Sequence, residues 1–184
     1  MIGVLAFHGD VIEHMHALGS IKSIPVRTKE DLKKCSALII PGGESTALAK
    51  LCQREDMWGD MKKVPAIFGT CAGAIMLAKH VLHKASDQQT LERMDITVDR
   101  NAYGRQTESF EKPIDTKLGK LNAVFIRAPK ITTVGKNVTI LAKDEGNILA
   151  CEETVGKQYF LACAFHPEMT STLFHEYFLK QIRA

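Results

Sequence analysis

The chain of 184 residues has little of what marks a secreted, membrane or nucleic-acid-binding protein. Its five cysteines, at positions 35, 52, 71, 151 and 163, form an odd, dispersed set with no C-x-x-C pair. That spacing gives neither a disulfide framework nor a zinc site, and a reducing cytosol suits it best. No apolar run approaches the roughly 20 residues needed to span a bilayer. The N-terminus opens directly into Ile2-Gly3-Val4-Leu5-Ala6-Phe7, without a basic lead or a cleavage site, so a cytoplasmic protein with no membrane partner is expected. Neither sign of charge dominates. The net charge is +3, and the densest basic spots, Lys33-Lys34 and Lys62-Lys63, read as solvated helix faces, so no nucleic-acid partner is expected. Repeats, low-complexity tracts and linkers are also missing. One domain over residues 1–184, large enough to bury a core without staples, is the resulting expectation.

What is present is an alternation of strand-like and helix-like runs. Ile2 to Phe7 reads as a buried strand and Val11 to Leu18 as a helix, followed by a short strand at Ile24 to Val26. Thr28 with Asp31 three residues on resembles a capped helix start. Ala37 to Ile40 is the next strand, ending at Pro41-Gly42-Gly43, with a helix from about Ser45 to Cys52. Val64 to Phe68 and the apolar start of a helix from Ala74 to His80 complete the series. Such a βαβα order implies an α/β fold with a doubly wound, mostly parallel sheet flanked by helices. After about residue 90 the texture changes to added strands at Met94–Val98, Ala123–Arg127 and Val138–Ala142, and a hairpin of Ile148–Glu152 with Gln158–Phe165. Thr172 to Ile182 closes the chain as an amphipathic helix, its apolar face including Phe174 and Phe178, with His175 expected on the exposed face.

Chemistry concentrates at three loops. Cys71 lies in Phe68-Gly69-Thr70-Cys71-Ala72-Gly73, between a strand-like and a helix-like run, the position of a nucleophile elbow. Gly69 and Gly73 lack the Cβ atoms that would collide in so tight a turn, and a helix N-terminus favours thiolate. Taken alone, the hexapeptide equally suits a buried packing cysteine. The strand Phe160–Phe165 ends in His166-Pro167-Glu168, where extended backbone would point His166 and Glu168 to one side. With Cys71 this gives nucleophile, base and orienter. Ligands of such sheets bind beyond the carboxyl ends of the strands, where Pro41-Gly42-Gly43-Glu44-Ser45-Thr46 also falls. A bare backbone N–H of that Gly-Gly pair, at Gly43, and the N–H of Ala72 suit an oxyanion hole. His14, His16, His80 and His83 lack the partner ligands of a metal pattern, so neither a metal nor a cofactor is expected. Trp58, with Met57 and Met61, reads as core.

In order along the chain, Pro41-Gly42-Gly43-Glu44-Ser45-Thr46, the Cys71 elbow, Arg100-Asn101-Ala102-Tyr103-Gly104-Arg105-Gln106, Phe125-Ile126-Arg127-Ala128-Pro129 and Phe165-His166-Pro167-Glu168 resemble the class I glutamine amidotransferases. The finer motifs are similar to the glutaminase branch that serves pyridoxal 5′-phosphate (vitamin B6) synthesis. Ala74-Ile75-Met76 after the elbow, where most other branches carry Gln, favours that branch. The resemblance implies a flavodoxin-like domain that hydrolyses L-glutamine to glutamate and ammonia. It also implies a partner, a (β/α)8-barrel pyridoxal phosphate synthase subunit, in a large heteromeric complex. By resemblance Gly43, Glu44, Ser45, Arg100, Ile126 and Arg127 line the glutamine pocket; on their own, Arg100 and Arg127 read first as surface ion-pair residues. One departure stands out: the family usually carries Gln-Gly after its first strand, and this chain has His8-Gly9. Two rival readings share the architecture, a cysteine-elbow protease, chaperone or deglycase and a non-catalytic scaffold subunit, and release of glutamate from glutamine separates them.

Overall fold

A computed structural model describes residues 1–100 and 109–183. The first half alternates as expected: β1 (Ile2–Leu5), α1 (Val11–Ala17), β2 (Ser23–Val26), α2 (Lys29–Leu32), β3 (Ala37–Ile40), α3 (Ser45–Arg54), α4 (Trp58–Met61), β4 (Ala66–Thr70) and α5 (Ala72–Leu77). The second half is mostly strand: β5 (Ala78–Leu82), β6 (Met94–Asp99), β7 (Phe110–Thr116), β8 (Gly119–Phe125), β9 (Lys130–Val134), β10 (Thr139–Asp144), β11 (Asn147–Val155) and β12 (Gln158–Cys163). A single 3₁₀ turn, Pro167–Met169, and α6 (Leu173–Gln181) end the chain.

These strands join in one sheet whose main path runs β2-β1-β3-β4-β12-β11-β10-β7-β8. The first five are parallel to one another, and the strands from β11 onward add in antiparallel fashion. Side chains of a strand alternate between faces, and here both faces are dry. Leu38 and Ile40 of β3 and Ile67 of β4 join one core with Leu48 and Cys52 of α3 and every side chain of α5. Ala37, Ile39 and Phe68 join the other, against Phe174 and Phe178 of α6. Burial on both sides explains why these strands read as unbroken apolar runs. The consequence for function is geometric. Parallel β1, β3, β4 and β12 all end at one rim, so the loops after Leu5, Ile40, Thr70 and Cys163 meet there.

Local signals behave as their chemistry dictates. Thr28 caps α2, its hydroxyl accepting from the Asp31 N–H at 3.2 Å. Gly156, at φ 62°, turns the β11–β12 hairpin. Met57 and Met61 are fully buried and Trp58 packs against the same core.

Four expectations need correction. The helix after the elbow stops at Leu77, and the chain runs straight on into β5. All six residues of α5 are buried, so its sequence carries no helical period. The Met76 and Leu77 carbonyls instead accept N–H bonds from Leu91 and Arg93, which a longer helix would forbid. The strand expected over Ala123–Arg127 begins at Gly119 and ends at Phe125, since Arg127 takes a positive φ of 45°. β7 and β9 were not expected; β7 carries Pro113 and four charged or polar residues and buries only Ile114. His175, expected in solvent, has no exposed surface at all. Among the described residues no helix is long and apolar enough to cross a membrane.

The elbow depends on a close approach that a methyl group would destroy. A Cβ on Gly73 would lie 2.0 Å from the Ile40 carbonyl oxygen, and one on Gly69 would lie 2.5 Å from the Gly73 backbone. Gly73→Ala must therefore push β3 away from α5 and should destabilise the fold by about 3 kcal/mol or more. Gly59→Ala, in a helix with open space around it, should be neutral or stabilise by up to about 1 kcal/mol. Urea denaturation of the two variants checks the contrast; equal stabilities would refute the close-approach account.

Candidate active site

Cys71 stands where β4 turns into α5, at φ 50° and ψ −105°, a backbone conformation that non-glycine residues rarely hold. The turn is pinned by the Cys71 N–H donating to the Cys163 carbonyl at 2.8 Å, which ties the ends of β4 and β12 together. The thiol is nearly buried and its Sγ lies 3.8 Å from the Ile126 carbonyl oxygen. Burial pushes Cys52 and Cys151 up to about 12, raises Cys163 well above the thiol range and raises Cys35 as well, so all four remain protonated.

His166 reaches the same rim from the end of β12, its backbone N–H held by the Val124 carbonyl at 2.8 Å. Its Nδ1 lies 2.8 Å from Glu168 Oε1. The contact is the one expected, by a different route: Pro167–Met169 form a 3₁₀ turn, with Pro167 at its first position, rather than extended backbone. Sequence reading missed a second carboxylate. Asp10 Oδ2 lies 3.1 Å from the same Nδ1. Asp10 is the N-cap residue of α1, yet its side chain makes no capping bond and turns to the imidazole instead.

The charges of this cluster follow from its surroundings. Burial opposes a cation on His166, but its hydrogen bonds with Asp10, Cys71 and Glu168 prevail and hold the ring as an imidazolium, well above its ordinary range. The hydrogen bond to His166 holds Asp10 below the usual carboxylate range. Glu168 moves the other way, raised by burial despite the same imidazolium. The half-exposed Asp10 is thus the more secure anion, and the buried Glu168 keeps its charge only through what surrounds it.

The Gly-Gly loop packs against this group. A Cβ on Gly42 would lie 2.3 Å from Cε1 of His166, and Gly43, at φ +123°, leaves no room for one beside the His8 ring, 2.3 Å away. Ala72 is the first residue of α5, so its N–H has no intrahelical partner. Glu44 caps α3, accepting from Thr46 and Ala47 N–H groups at 3.0 and 2.6 Å. Arg100 reaches the same corner, donating to Glu44 Oε1 at 2.9 Å and Thr46 Oγ1 at 2.9 Å. Gln88, which no sequence signal marked, links Ser45 and Arg100 from a buried position. Residues 101–106 of the Arg100 motif lie outside the described residues. Ile126 faces the thiol through its carbonyl, while Arg127 is exposed on the bend beyond it. Of the expected site residues, then, Cys71, His166 and Glu168 converge, Gly43 and Ala72 flank them, Glu44, Ser45 and Arg100 form a second cluster, and Arg127 stands apart. Asp10, His166 and Glu168 place potential metal-ligand atoms within 4.8 Å of one another, but the imidazolium already accounts for that arrangement.

Comparison with known proteins decides the family. Residues 4–184 match the SNO glutamine amidotransferase family. The chain belongs to that family. Its similarity extends end to end to pyridoxal 5′-phosphate synthase subunit PdxT of Methanococcus maripaludis, 43% identical over 187 residues and covering 98% of this chain and 96% of the relative. The subunit of the same name from Thermotoga maritima is 45% identical over 195 residues, covering 99% of each. The crystal structure of a glutamine amidotransferase superposes with a TM-score of 0.90 at 41% identity, covering 100% of this chain and 99% of that one. The family resemblance carried by the five motifs and the α/β fold expected from the βαβα order are both borne out.

The buried histidines behind the site give a stability test. Burial lowers His175 to about 4 and His14 well below its ordinary value. The unfolded chain, with histidines near 6.5, therefore binds more protons than the folded one between about pH 4 and 6.5. Stability from this source is fully present above 6.5 and is lost as pH falls. Moving from pH 7 to pH 5 should remove about 2 kcal/mol through His175 alone. Urea denaturation of native protein and His175→Gln at both pH values should show the smaller loss in the variant; parallel losses would contradict a neutral buried His175.

Proposed function

We propose that the chain, acting as one domain, hydrolyses L-glutamine with Cys71 as nucleophile, His166 as general acid and base and Glu168 as orienter. It hands the ammonia to a (β/α)8-barrel subunit that builds pyridoxal 5′-phosphate. The observation that carries this reading is the convergence of Cys71, at a strained elbow, with the His166–Glu168 pair on one rim of a glutamine amidotransferase fold. The chemistry follows from the residues. Cys71 thiolate attacks the side-chain carboxamide carbon of glutamine, and the oxyanion that forms is held by N–H groups of Gly43 and Ala72. The C–N bond breaks as His166 donates its proton to the leaving nitrogen, releasing ammonia and leaving a glutamyl thioester. His166, now neutral, takes a proton from water; the hydroxide adds to the thioester, glutamate departs and the thiolate and imidazolium are restored. In this reading Glu44, Ser45 and Arg100 meet the amino-acid end of the substrate and Ile126, whose carbonyl faces the thiol, bounds its other side, while the exposed Arg127 must turn inward to take part.

Coupling to a partner has a chemical motive. Ammonia released at neutral pH is largely protonated and no longer a nucleophile, so hydrolysis is useful only when a sheltered path leads to the acceptor. The Gly42-Gly43 peptide is the natural control point, since Gly43 already holds a positive φ and the His8 ring sits against it.

Glutamate release by the chain with its synthase subunit tests the reading. Cys71→Ala should abolish turnover, His166→Asn should lower it by roughly 10⁴-fold, and Glu168→Gln should lower it by less. The chain without the synthase should turn over slowly. Undiminished activity of Cys71→Ala, or equal and negligible effects of the other two changes, would overturn the triad. Full activity without the synthase would overturn the coupling alone.

A further inference from the structure

Behind Glu168 lies a buried polar chain that the proposed reaction does not use. His14 on α1 and His175 on α6 have no exposed surface, nor has Thr70, the residue before the nucleophile. His14 Nδ1 meets His175 Nε2 at 2.8 Å. His14 Nε2 lies 3.1 Å from Thr70 Oγ1 and 3.5 Å from Glu168 Oε1. His175 Nδ1 is buried without a partner. Phe68 closes the region, its ring edge-on to both imidazoles.

Counting protons fixes the tautomers. Burial and the nearby His166 imidazolium keep His14 neutral, and burial does the same for His175. Each ring therefore carries a single N–H. If His14 gave its Nδ1–H to His175, its bare Nε2 lone pair would face the Glu168 carboxylate, and His175 would bury an orphaned Nδ1–H donor. The opposite assignment removes both penalties. His175 Nε2–H donates to His14 Nδ1, His14 Nε2–H points between Thr70 and Glu168, and the orphan at His175 Nδ1 is only an acceptor, the less costly kind.

We propose that His14 is a positioning residue whose Nε2–H ties the Glu168 carboxylate to Thr70, and through it to the Cys71 elbow, with His175 fixing the tautomer that makes this possible. The arrangement supplies what Glu168 lacks. Its carboxylate is buried, burial disfavours its charge, and its Oε2 has no partner; an N–H near Oε1 keeps that oxygen anionic and aimed at His166. The groups facing His14 are His175, Thr70, Glu168 and the imidazolium of His166, and Asp10 completes the charge set on His166. The proposal rests on the triad reading, and its test has an arm independent of that reading.

The first arm is long-range ¹H–¹⁵N correlation of the imidazoles in the full ¹⁵N-labelled chain at pH 7, with signals assigned by their loss in His14→Asn and His175→Gln. Both rings should show the neutral Nε2–H pattern. A Nδ1–H tautomer or an imidazolium at His14 would overturn the proposal, whatever the activity. The second arm is glutamine turnover with the synthase subunit. His175→Gln, which keeps an N–H donor, should hold kcat within about threefold, whereas His175→Leu should lose about tenfold or more in kcat with KM little changed. Equal losses in the two variants, or a loss confined to KM, would refute the positioning role. Should His175→Leu fail to fold, the tautomer measurement on the native chain decides. A native complex that released no glutamate would sink the triad reading instead, and leave the tautomer result standing.

Discussion

The structure turns on the contact between Gly73 and the Ile40 carbonyl. There α5 comes close enough to β3 for β4 to bend into a helix within one residue, and that residue is Cys71. The strain at its positive φ is sustained by what surrounds it: a backbone bond to Cys163, a buried helix behind and a glycine on either side. Because β3, β4 and β12 are parallel neighbours, the same packing brings the Gly-Gly loop and the His166 turn to the thiol. A site assembled from loops 43, 71 and 166 thus owes its precision to strands that carry no chemistry.

Electrostatics then sets how the site is used. A buried imidazole would ordinarily lose its proton, yet here three neighbours hold it cationic. The two carboxylates on Nδ1 divide the work unequally. Asp10 is partly exposed and its bond to the imidazolium holds it as an anion; Glu168 is sealed off, raised by burial, and depends on its neighbours. A carboxylate that is buried and needs support explains why polar groups, His14 and Thr70, are found beside aliphatic and aromatic core residues. Such a network is costly if half satisfied, and the orphaned His175 Nδ1 and Glu168 Oε2 are the remainder of that cost.

Much of this was legible in the sequence, for reasons that differ by residue. The parallel strands could be read because they are buried on both faces and so appear as apolar runs such as Ala37–Ile40. The elbow could be read because its glycines and its cysteine must be adjacent in the chain. Glu168 could be read because it is two residues from His166. What escaped was whatever depended on distant contacts. Asp10 carries no local signal, and only the fold turns it to His166, more than 150 residues away. His175 sits among Phe174, Tyr177 and Phe178, and a histidine there reads as solvent-facing unless a buried partner on α1 is known. Gln88 lies in a polar stretch with no periodicity, and the end of α5 is set by bonds from Leu91 and Arg93. Local rules could not supply any of these.

The central claim is that Cys71 carries the glutamyl group between the two halves of the reaction. Rapid-quench mass spectrometry of the chain with its synthase subunit and glutamine addresses it most directly. The account predicts a single glutamyl adduct on the peptide bearing Cys71, appearing with the burst of ammonia and decaying at the rate of glutamate release. Steady glutamate release with no adduct on Cys71 at any time would contradict it.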